Sequence, residues 1–192
     1  MPLNPLRLLI CLRPGPAQQA ALARHCAEWR WAPGTRTTRA PRLHLTLHGP
    51  WLVHPDLAPQ LQRALRHVAQ SPLALVLDTP AAWAHGLAVL QPDAASRDAL
   101  AALHRCIAVA VCRTSLAPAR WGRPHVTLSR NAAGALAPAA CRPVIWPVHE
   151  FVLLHSPPYA QDYDLIESYL LMPAFSPSGT AANPTPPPAP AA

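Results

Sequence analysis

The sequence has no apolar run of the roughly 18 to 20 residues that a transmembrane helix needs. Its N-terminal stretch LRLLICLR is apolar but short, is broken by Arg7 and Arg13, and is not followed by a small-residue cleavage site. These features disfavour a membrane span and a signal peptide, and they predict a buried first strand instead. Without an export signal, the chain is expected in the cytoplasm.

Cysteine pairs with metal-binding or redox spacing are also missing. The five cysteines are odd in number and none forms a C-x-x-C pair: Cys11, Cys26, Cys106, Cys112 and Cys141. This spacing disfavours a disulfide framework and a thiolate zinc site. We therefore expect buried, reduced thiols and no metal held by them.

Lysine is absent, so all sixteen basic side chains are arginine, and with nine acidic ones they give a formal net charge of +7. One interpretation is a polyanionic partner, because guanidinium groups bind phosphate oxygens in a forked geometry. The other is a biased composition, since the chain is also rich in alanine and contains 26 prolines. The charge alone leaves both interpretations open.

What the chain does have is enough apolar sequence for a substantial core. Its 192 residues are 51% hydrophobic and 13% charged, which suits one domain or two closely joined halves. Helices are predicted within 15–31, at 56–70 with Asp56 as its cap, and at 95–113.

Strands are predicted from alternation or short apolar runs between these helices. They fall at 6–12, 41–47, 124–129, 144–154 and 163–171, with two more within 72–92, where Thr79-Pro80 and His85-Gly86 are breaks. From Pro173 onward nearly all residues are proline, alanine or small and polar, so 173–192 is predicted to be a disordered tail.

One pattern, Arg-x-His-apolar-Thr-Leu, occurs twice: RLHLTLHG at 42–49 and RPHVTLSR at 123–130. Side chains of a strand alternate between its two faces. Each copy therefore places an imidazole and a hydroxyl opposite a set of apolar side chains. These are His44 and Thr46 opposite Leu43, Leu45 and Leu47, and His125 and Thr127 opposite Val126 and Leu128.

Two such strands facing one cleft would gather two imidazoles and two hydroxyls around a small volume. Imidazole titrates near pH 6.5, so one ring can accept a proton while the other donates one. Threonine hydroxyls can bond the non-bridging oxygens of a phosphate. Metal-free, in-line displacement at phosphorus needs this set of groups. A single H-x-T would favour an ordinary strand with a solvated polar face, and the doubled pattern favours catalysis.

Arg130 and most of the other histidines lie outside the doubled pattern. Arg130 differs in parity from His125, and it reaches the same cleft if the strand ends or bulges at Ser129. Otherwise it is a solvated arginine at a strand end. Four histidines that do not belong to an H-x-T motif are expected to be ordinary surface or half-buried residues: His25, His67, His104 and His149.

The paired motifs resemble those of the two-histidine (2H) phosphoesterase superfamily. The nearest branch is the bacterial RNA 2′,3′-cyclic phosphodiesterases, also called the 2′–5′ RNA ligase or LigT-like family. LRLLICLRP at 6–14 is similar to the first strand of that family, and VIWPVHEFVLLHS with YDLIESYLL resembles its closing strands. The likeness covers 6–172. It implies a bilobal, LigT-like α+β fold, with two antiparallel sheets and outer helices around a central cleft, in one domain at 1–172.

The resemblance also implies an activity, namely hydrolysis of a 2′,3′-cyclic phosphate at an RNA end or on a nucleoside to a 2′-phosphate, without a metal or other cofactor. By motif position, His44 would donate a proton to the leaving 3′ oxygen and His125 would activate water. Thr46 and Thr127 would hold the phosphate, and Arg130 matches an arginine that helps to bind it in relatives. A monomer is expected, with RNA ends or nucleotide 2′,3′-cyclic phosphates as its partners.

The chain departs from the family after its first motif. Relatives commonly have an aromatic residue two places after the last leucine, where this chain has Gly49 and Pro50. His48 and Trp51 are nearby. The departure bears on nucleobase stacking and substrate preference. We expect His48 to be a turn residue, with an extra substrate contact as the alternative.

Other functions remain open from the sequence. The reverse reaction, 2′–5′ ligation of tRNA halves, uses the same groups, and a small cyclic nucleotide or an ADP-ribose cyclic phosphate would also suit them. A non-catalytic RNA-binding module needs phosphate donors but not two titrating groups. A metallohydrolase is disfavoured because no Asp or Glu lies within either motif.

Overall fold

The computed structural model describes residues 4–158 and 160–173. Short 3₁₀ turns lie at Ala40–Arg42 and Ala84–Gly86. The helices and strands follow one another as β1 (Leu6–Leu12), α1 (Pro16–Ala27), β2 (Leu45–Val53), α2 (Leu57–Leu65), β3 (Leu73–Trp83), β4 (Leu87–Pro92), α3 (Ala94–Val111), β5 (Val126–Ser129), β6 (Val144–Val148), β7 (Glu150–His155) and β8 (Asp164–Leu170).

Within the described residues the eight strands form one sheet in the order β6-β3-β4-β5-β2-β1-β7-β8. Every neighbouring pair is antiparallel. The sheet has two four-stranded halves, which are joined where β2 meets β5 through one register pair, Leu45 and Val126. The predicted α+β class is confirmed, and the two expected antiparallel sheets are the two halves, meeting edge to edge.

The first strand is covered on both of its faces. Leu8, Ile10 and Leu12 belong to the main core, while Leu9 and Cys11 pack on the other face against β7. Burying one leucine side chain contributes about 1.5–3 kcal/mol. This explains why the centre of β1 is an uninterrupted apolar run, and it makes β1 a rigid support for β2, the strand of the first motif.

The third helix is fixed at its start by two hydrogen bonds. The Asp93 carboxylate accepts from the Ser96 backbone N–H at 2.7 Å, and the Ser96 hydroxyl accepts from the Val76 N–H of β3 at 2.8 Å. A cap of this kind contributes about 1 kcal/mol. The predicted helix at 95–113 is confirmed. Asp56 occupies the N-cap of α2, but its side chain makes no capping bond there and lies 3.1 Å from His54 Nδ1.

Three element boundaries differ from the predictions because of long-range pairing. The second helix ends at Leu65 rather than at residue 70, since the Gln70 N–H donates to the Met172 carbonyl at 2.8 Å. The predicted strand at 41–47 begins at Leu45 and continues to Val53. The predicted strand at 124–129 begins at Val126.

The segment at 144–154 is two strands rather than one. It divides at His149. The strand before this residue, β6, pairs with β3 at one edge of the sheet, and the strand after it, β7, lies between β1 and β8. Pro147 within β6 has no N–H to donate, which suits an edge strand. Thr79-Pro80, predicted as a break, lies inside β3 beside a register shift, and the chain reverses at His85-Gly86 as expected.

Two remaining predictions concern the cysteines and the tail. All five cysteines are unpaired, but among them only Cys11 is buried and Cys112 is exposed, so the expectation of buried thiols is wrong for most of them. The predicted tail lies outside the described residues apart from Pro173. In the part of the chain that the structure describes, no helix has the length and apolarity to cross a bilayer.

Candidate active site

The two H-x-T motifs lie side by side at the junction of the sheet halves. Leu45 of β2 pairs with Val126 of β5 in antiparallel register. Extending this register by one residue in each direction sets His44 opposite Thr127 and Thr46 opposite His125. Each histidine therefore lies beside the threonine of the other motif, with the two imidazoles on a diagonal.

The apolar positions of both motifs anchor this arrangement in the core. Leu43, Leu45 and Leu47 are at most 5% exposed, and Val126 and Leu128 are fully buried. Because strand positions alternate, the imidazoles and hydroxyls are held on the opposite face with little freedom.

The two threonines differ in their exposure. Thr46 is exposed, whereas Thr127 is only 7% exposed and is enclosed in the wall of the cleft. Thr127 lies on the face opposite Val126 and Leu128, as the alternation predicts, and it lines the cleft although it is largely buried. Its hydroxyl is therefore screened from water more than that of Thr46.

The two histidines are oriented by the same backbone device. Nδ1 of His44 lies 2.8 Å from the Arg42 carbonyl oxygen, and Nδ1 of His125 lies 2.8 Å from the Arg123 carbonyl oxygen. A carbonyl only accepts, so we infer that each Nδ1 carries a hydrogen and donates it. Nε2 is then the nitrogen of each ring that exchanges a proton in the cleft.

Both imidazoles are harder to protonate than a free histidine. Burial lowers the pKa of His44 below its usual 6.5, and the charges of Arg130, Arg42 and His125 lower it further, against the opposing bond to the Arg42 carbonyl. Burial also lowers the pKa of His125, and Arg130 adds to this effect. In the free protein at neutral pH, the neutral form of each ring is therefore favoured.

Arg130 enters the cleft because β5 ends just before it. The Ser129 hydroxyl donates to the Arg36 carbonyl at 2.8 Å and accepts from the Asn131 N–H at 3.1 Å. Arg130 lines the same cavity as His44 and Thr127. Its positive charge lowers the pKa of both histidines.

Two adjoining cavities on the His44 side are rich in arginine. Their volumes are about 320 and 480 Å³, and they share His44, Arg42, Arg130 and Tyr163. The smaller also contains Arg36 and Arg39, and the larger contains Arg7 and Thr46. This side of the cleft can bind a phosphate, and it gives part of the net positive charge a specific location.

The cavity on the His125 side has a different character. It measures about 310 Å³ and contains Thr46, His125, Trp83 and Trp121. Together the cavities on the two sides border all five predicted site residues, with Thr46 shared between the sides. A further cavity of about 340 Å³, between α1 and the start of β6, contains none of them.

An aromatic ring contacts each of the two histidines. Tyr163 meets His44 edge to face with ring centroids 5.2 Å apart, and Trp83 meets His125 at 4.6 Å. The Arg42 guanidinium lies 4.2 Å from the centre of the Tyr163 ring. None of these three further residues (Tyr163, Trp83 and Arg42) was assigned a role from the sequence. Arg42 had a signal, since the repeated pattern begins with arginine.

The structure corrects three expectations about the other histidines. His48 is not in a turn; it is fully buried within β2, where Nε2 meets the His104 carbonyl at 3.0 Å and Nδ1 accepts from the Ala119 N–H at 3.1 Å. With both nitrogens used, it is not a substrate contact. His25 and His104 are buried rather than at the surface, because each faces the core from its helix.

A metal centre would need at least three ligating side chains close together. Among residues 4–158 and 160–173, no three His, Cys, Asp or Glu side chains are grouped closely enough to hold a metal ion. The groups available in the cleft are therefore imidazoles, hydroxyls, guanidiniums and aromatic rings.

Comparisons with known proteins identify the family and the fold. The family model described as the 2′-5′ RNA ligase superfamily matches residues 18–157. Because that span is most of the chain, the protein belongs to the 2′-5′ RNA ligase superfamily, a group of two-histidine phosphoesterases. No curated protein sequence matches the chain.

Solved structures show that the fold is that of LigT. E. coli LigT in its apo form is 22% identical, with a TM-score of 0.71 over 88% of this chain and 99% of that one. E. coli LigT complexed with 3′-AMP is 22% identical, with a TM-score of 0.68 over 88% and 98%. TT0787 of Thermus thermophilus is 20% identical, with a TM-score of 0.62 over 88% and 100%.

Proposed function

We propose that this protein hydrolyses 2′,3′-cyclic phosphates, on RNA ends or on nucleosides, to 2′-phosphates by two-histidine acid–base catalysis without a metal. The observation that carries the proposal is the diagonal pair of imidazoles. Each has its Nδ1–H committed to a backbone carbonyl, so Nε2 is left for proton transfer. A binding module would need neither two titrating groups nor a fixed tautomer for each.

The proposed reaction uses one imidazole on each side of the phosphorus. Nε2 of His125 accepts a proton from water as the water oxygen attacks phosphorus. The bond between phosphorus and O3′ breaks, and O3′ takes the proton carried by Nε2 of His44. The products are a 3′-hydroxyl and a 2′-phosphate, and proton exchange with solvent restores both rings. The assignment of donor and acceptor follows the motif positions of the family.

The remaining residues of the site are proposed to bind the phosphate. Thr46 and Thr127 donate hydroxyl hydrogen bonds to its non-bridging oxygens, and Arg130 balances the charge that develops there. A bound phosphate has the opposite effect on His44 from that of Arg42 and Arg130. It raises the pKa of His44, so the protonated form needed for the leaving oxygen is favoured only when substrate is present.

The nucleotide ligands of E. coli LigT, which has been crystallised with 3′-AMP, ATP and NADP+, support a nucleotide-sized substrate here. The family description supports a second candidate, ligation, in which an RNA 5′-hydroxyl attacks the cyclic phosphate in place of water, the bond to O3′ breaks and a 2′–5′ linkage forms. A cytoplasmic location and a monomeric state remain predictions from the sequence.

The test is to incubate the purified protein, in EDTA, with each nucleoside 2′,3′-cyclic phosphate and with a short RNA that has this end. The product isomer is then identified. The same assay is run on His44→Ala and His125→Ala, with His67→Ala as a matched control because His67 is exposed and lies outside the cleft. An RNA with a free 5′-hydroxyl, added to a parallel reaction, detects ligation.

We expect a 2′-phosphate that forms in EDTA with the native protein and His67→Ala. Either site variant should lose about 10²- to 10⁴-fold in rate, since each proton transfer is worth that much. A joined strand with a 2′–5′ linkage, without hydrolysis, would favour the ligase. RNA binding without turnover, unchanged in both variants, would contradict the enzyme and favour a binding module.

A further inference from the structure

We propose that the cavity beside His125 is a nucleobase subsite, in which Trp83 and Trp121 stack on the base and His104 contacts its edge. We call it the indole cavity, lined by Thr46, Gly49, Trp83, His104, Trp121 and His125. The inference rests on the proposed function, because it assigns the base of that substrate to a particular place.

The indole cavity lies where a group attached to the reacting phosphate would extend. It contains His125 and Thr46, and Thr46 also borders the arginine-rich cavity that holds His44 and Arg130. A phosphate between the histidines therefore lies at the mouth of the indole cavity. Its volume of about 310 Å³ is at the lower end of the range for small-molecule sites, which suits a single nucleoside.

Two indole rings supply flat apolar surface on this side. Trp83 ends β3 and lies against His125, while Trp121 is 41% exposed, with its ring edge towards His104 at 4.9 Å. Unpaired bases are commonly held by stacking on aromatic side chains. A large indole left partly open beside a catalytic histidine is the surface that such a base would cover.

His104 supplies a polar atom that can contact the base edge. It is 6% exposed, and its Nε2 makes no hydrogen bond of ordinary geometry among the described residues, although the Ala119 backbone is near enough to raise the pKa of the ring against the effect of burial. A buried ring nitrogen without a partner is energetically unfavourable. A base edge in the indole cavity, which His104 lines, can provide the missing donor or acceptor.

The walls of the cavity are held in place before any ligand binds. The His104 ring stacks on His48 at 3.9 Å, and His48 also accepts from the Ala119 N–H. The Trp51 indole N–H donates to the Ala117 carbonyl at 2.9 Å, which ties the same loop at a second point. A preformed wall reduces the ordering that binding would otherwise require.

Gly49 explains why the stacking surface lies on β3 and the loop rather than on the first motif. Its φ is +88°, and a Cβ added there would lie 2.8 Å from the Leu8 carbonyl oxygen. An aromatic residue therefore does not fit at this position of the chain. Gly49 instead borders the open cavity, and the two tryptophans provide the rings.

The experiment compares nucleoside 2′,3′-cyclic phosphates with a substrate that lacks a base, methyl riboside 2,3-cyclic phosphate. The quantity measured is the ratio of kcat/KM for the two kinds of substrate. The variants are Trp121→Ala and Trp121→Phe, with Leu136→Ala as control, since Leu136 is 60% exposed and lies outside the cleft. We expect Trp121→Ala to reduce the ratio about tenfold or more, mainly through KM, because base stacking is lost. Trp121→Phe should restore part of it.

A second variant tests the edge contact. His104→Phe keeps a ring against His48 but removes Nε2, so we expect the preference among the four bases to flatten while stacking remains. An unchanged order of preference would contradict the edge contact, and an unchanged ratio in Trp121→Ala would contradict the subsite.

A binding measurement separates failure of the subsite from failure of the proposed function. Nucleoside 2′-monophosphates are titrated while tryptophan fluorescence is recorded. If the native protein hydrolyses nothing but its fluorescence is quenched by the nucleotide, and Trp121→Phe removes most of the quenching, the proposed function fails and the subsite stands. No quenching would overturn the subsite.

Discussion

The two sides of the cleft are built on the same motif and differ in what surrounds it. Each side has an imidazole fixed through Nδ1 to the carbonyl two residues earlier. Around His44 lie guanidinium groups and Tyr163, and a groove of about 620 Å³ that contains Arg7, Arg39 and Arg42 continues from that side. Around His125 lie two indoles and a buried histidine.

The shared device and the different surroundings have separate consequences. The shared hydrogen bond from Nδ1 to a backbone carbonyl determines that Nε2 of each imidazole exchanges the proton, which acid–base catalysis requires. The surroundings favour different parts of a nucleotide: positive charge suits phosphate groups, whereas flat aromatic surface suits a base. We therefore expect the shared motif to determine the reaction, and the residues around each histidine to determine which substrate binds.

The largest expected effect separates the roles of the two histidines. Because the pKa values of both lie below 6.5, the native profile of kcat/KM should be a bell with its maximum below that pH. His125→Ala should lose about 10²- to 10⁴-fold and lose the acidic limb, since that limb reports protonation of the base. His44→Ala should lose the alkaline limb instead. The opposite pattern would exchange the roles.

Arg130 should matter to both sides, because its charge reaches both imidazoles. Arg130→Ala should reduce kcat/KM by about 10- to 100-fold, as expected for bonds to a charged phosphate. Removing the positive charge raises both pKa values, so both limbs of the pH profile should move to higher pH. Arg130→Lys is the matched variant and should leave the limbs in place. If Arg130→Ala loses rate but both limbs of its pH profile stay in place, the charge of Arg130 does not act on the two histidines.

The two threonines offer a comparison between a covered hydroxyl and an open one. Thr127→Val and Thr46→Val each remove a phosphate donor, and each should reduce kcat/KM by about tenfold. The loss should be larger for Thr127, because its bond is screened from water. Thr127→Ser and Thr46→Ser keep the hydroxyl and should stay close to native. Equal activity of valine and serine variants would show that neither hydroxyl binds the phosphate.

The smallest effect concerns stability rather than rate. Burial lowers the pKa of His48 to about 4 from 6.5, against the bond to the His104 carbonyl. Between these values the unfolded chain binds the proton and the folded chain does not, so stability is lost as pH falls. At about 1.36 kcal/mol for each pKa unit, the loss is about 3 kcal/mol.

Denaturant unfolding between pH 7 and pH 4 measures this loss. His48→Gln keeps a donor and an acceptor but does not titrate, so its unfolding free energy should depend less on pH. His67→Gln is the matched control at an exposed histidine and should retain the native pH dependence. The same slope in both variants would show that His48 does not cause the acid sensitivity.

Local patterns in the sequence were sufficient for the motif strands and for α3. Alternation identified the buried leucines of both motifs. The Asp93 cap of α3 was not among the predictions, and Asp56, the predicted cap, makes no capping bond. The burial of His104 was also readable, since Leu100, Leu103 and Ile107 form a helical stripe on which His104 lies. It was missed because histidine was treated as a surface residue.

Other features depend on contacts that no local pattern contains. The pairing of Leu45 with Val126 brings together segments far apart in the chain, and it alone sets the diagonal of histidines. The division of 144–154 into strands at separate places in the sheet likewise depends on β3 and β1 as partners. The indole cavity needs both the loop of Trp121 and the end of β3, so its composition could not be predicted from either segment alone.

The most direct test of the account compares His44→Ala, His125→Ala and the double variant on a nucleoside 2′,3′-cyclic phosphate in EDTA. Groups that act together in one displacement are strongly non-additive. We expect the double variant to be about as slow as the slower single variant, with the 2′-phosphate as product wherever turnover is measurable. Full activity in either single variant, or losses that multiply in the double variant, would contradict the pair.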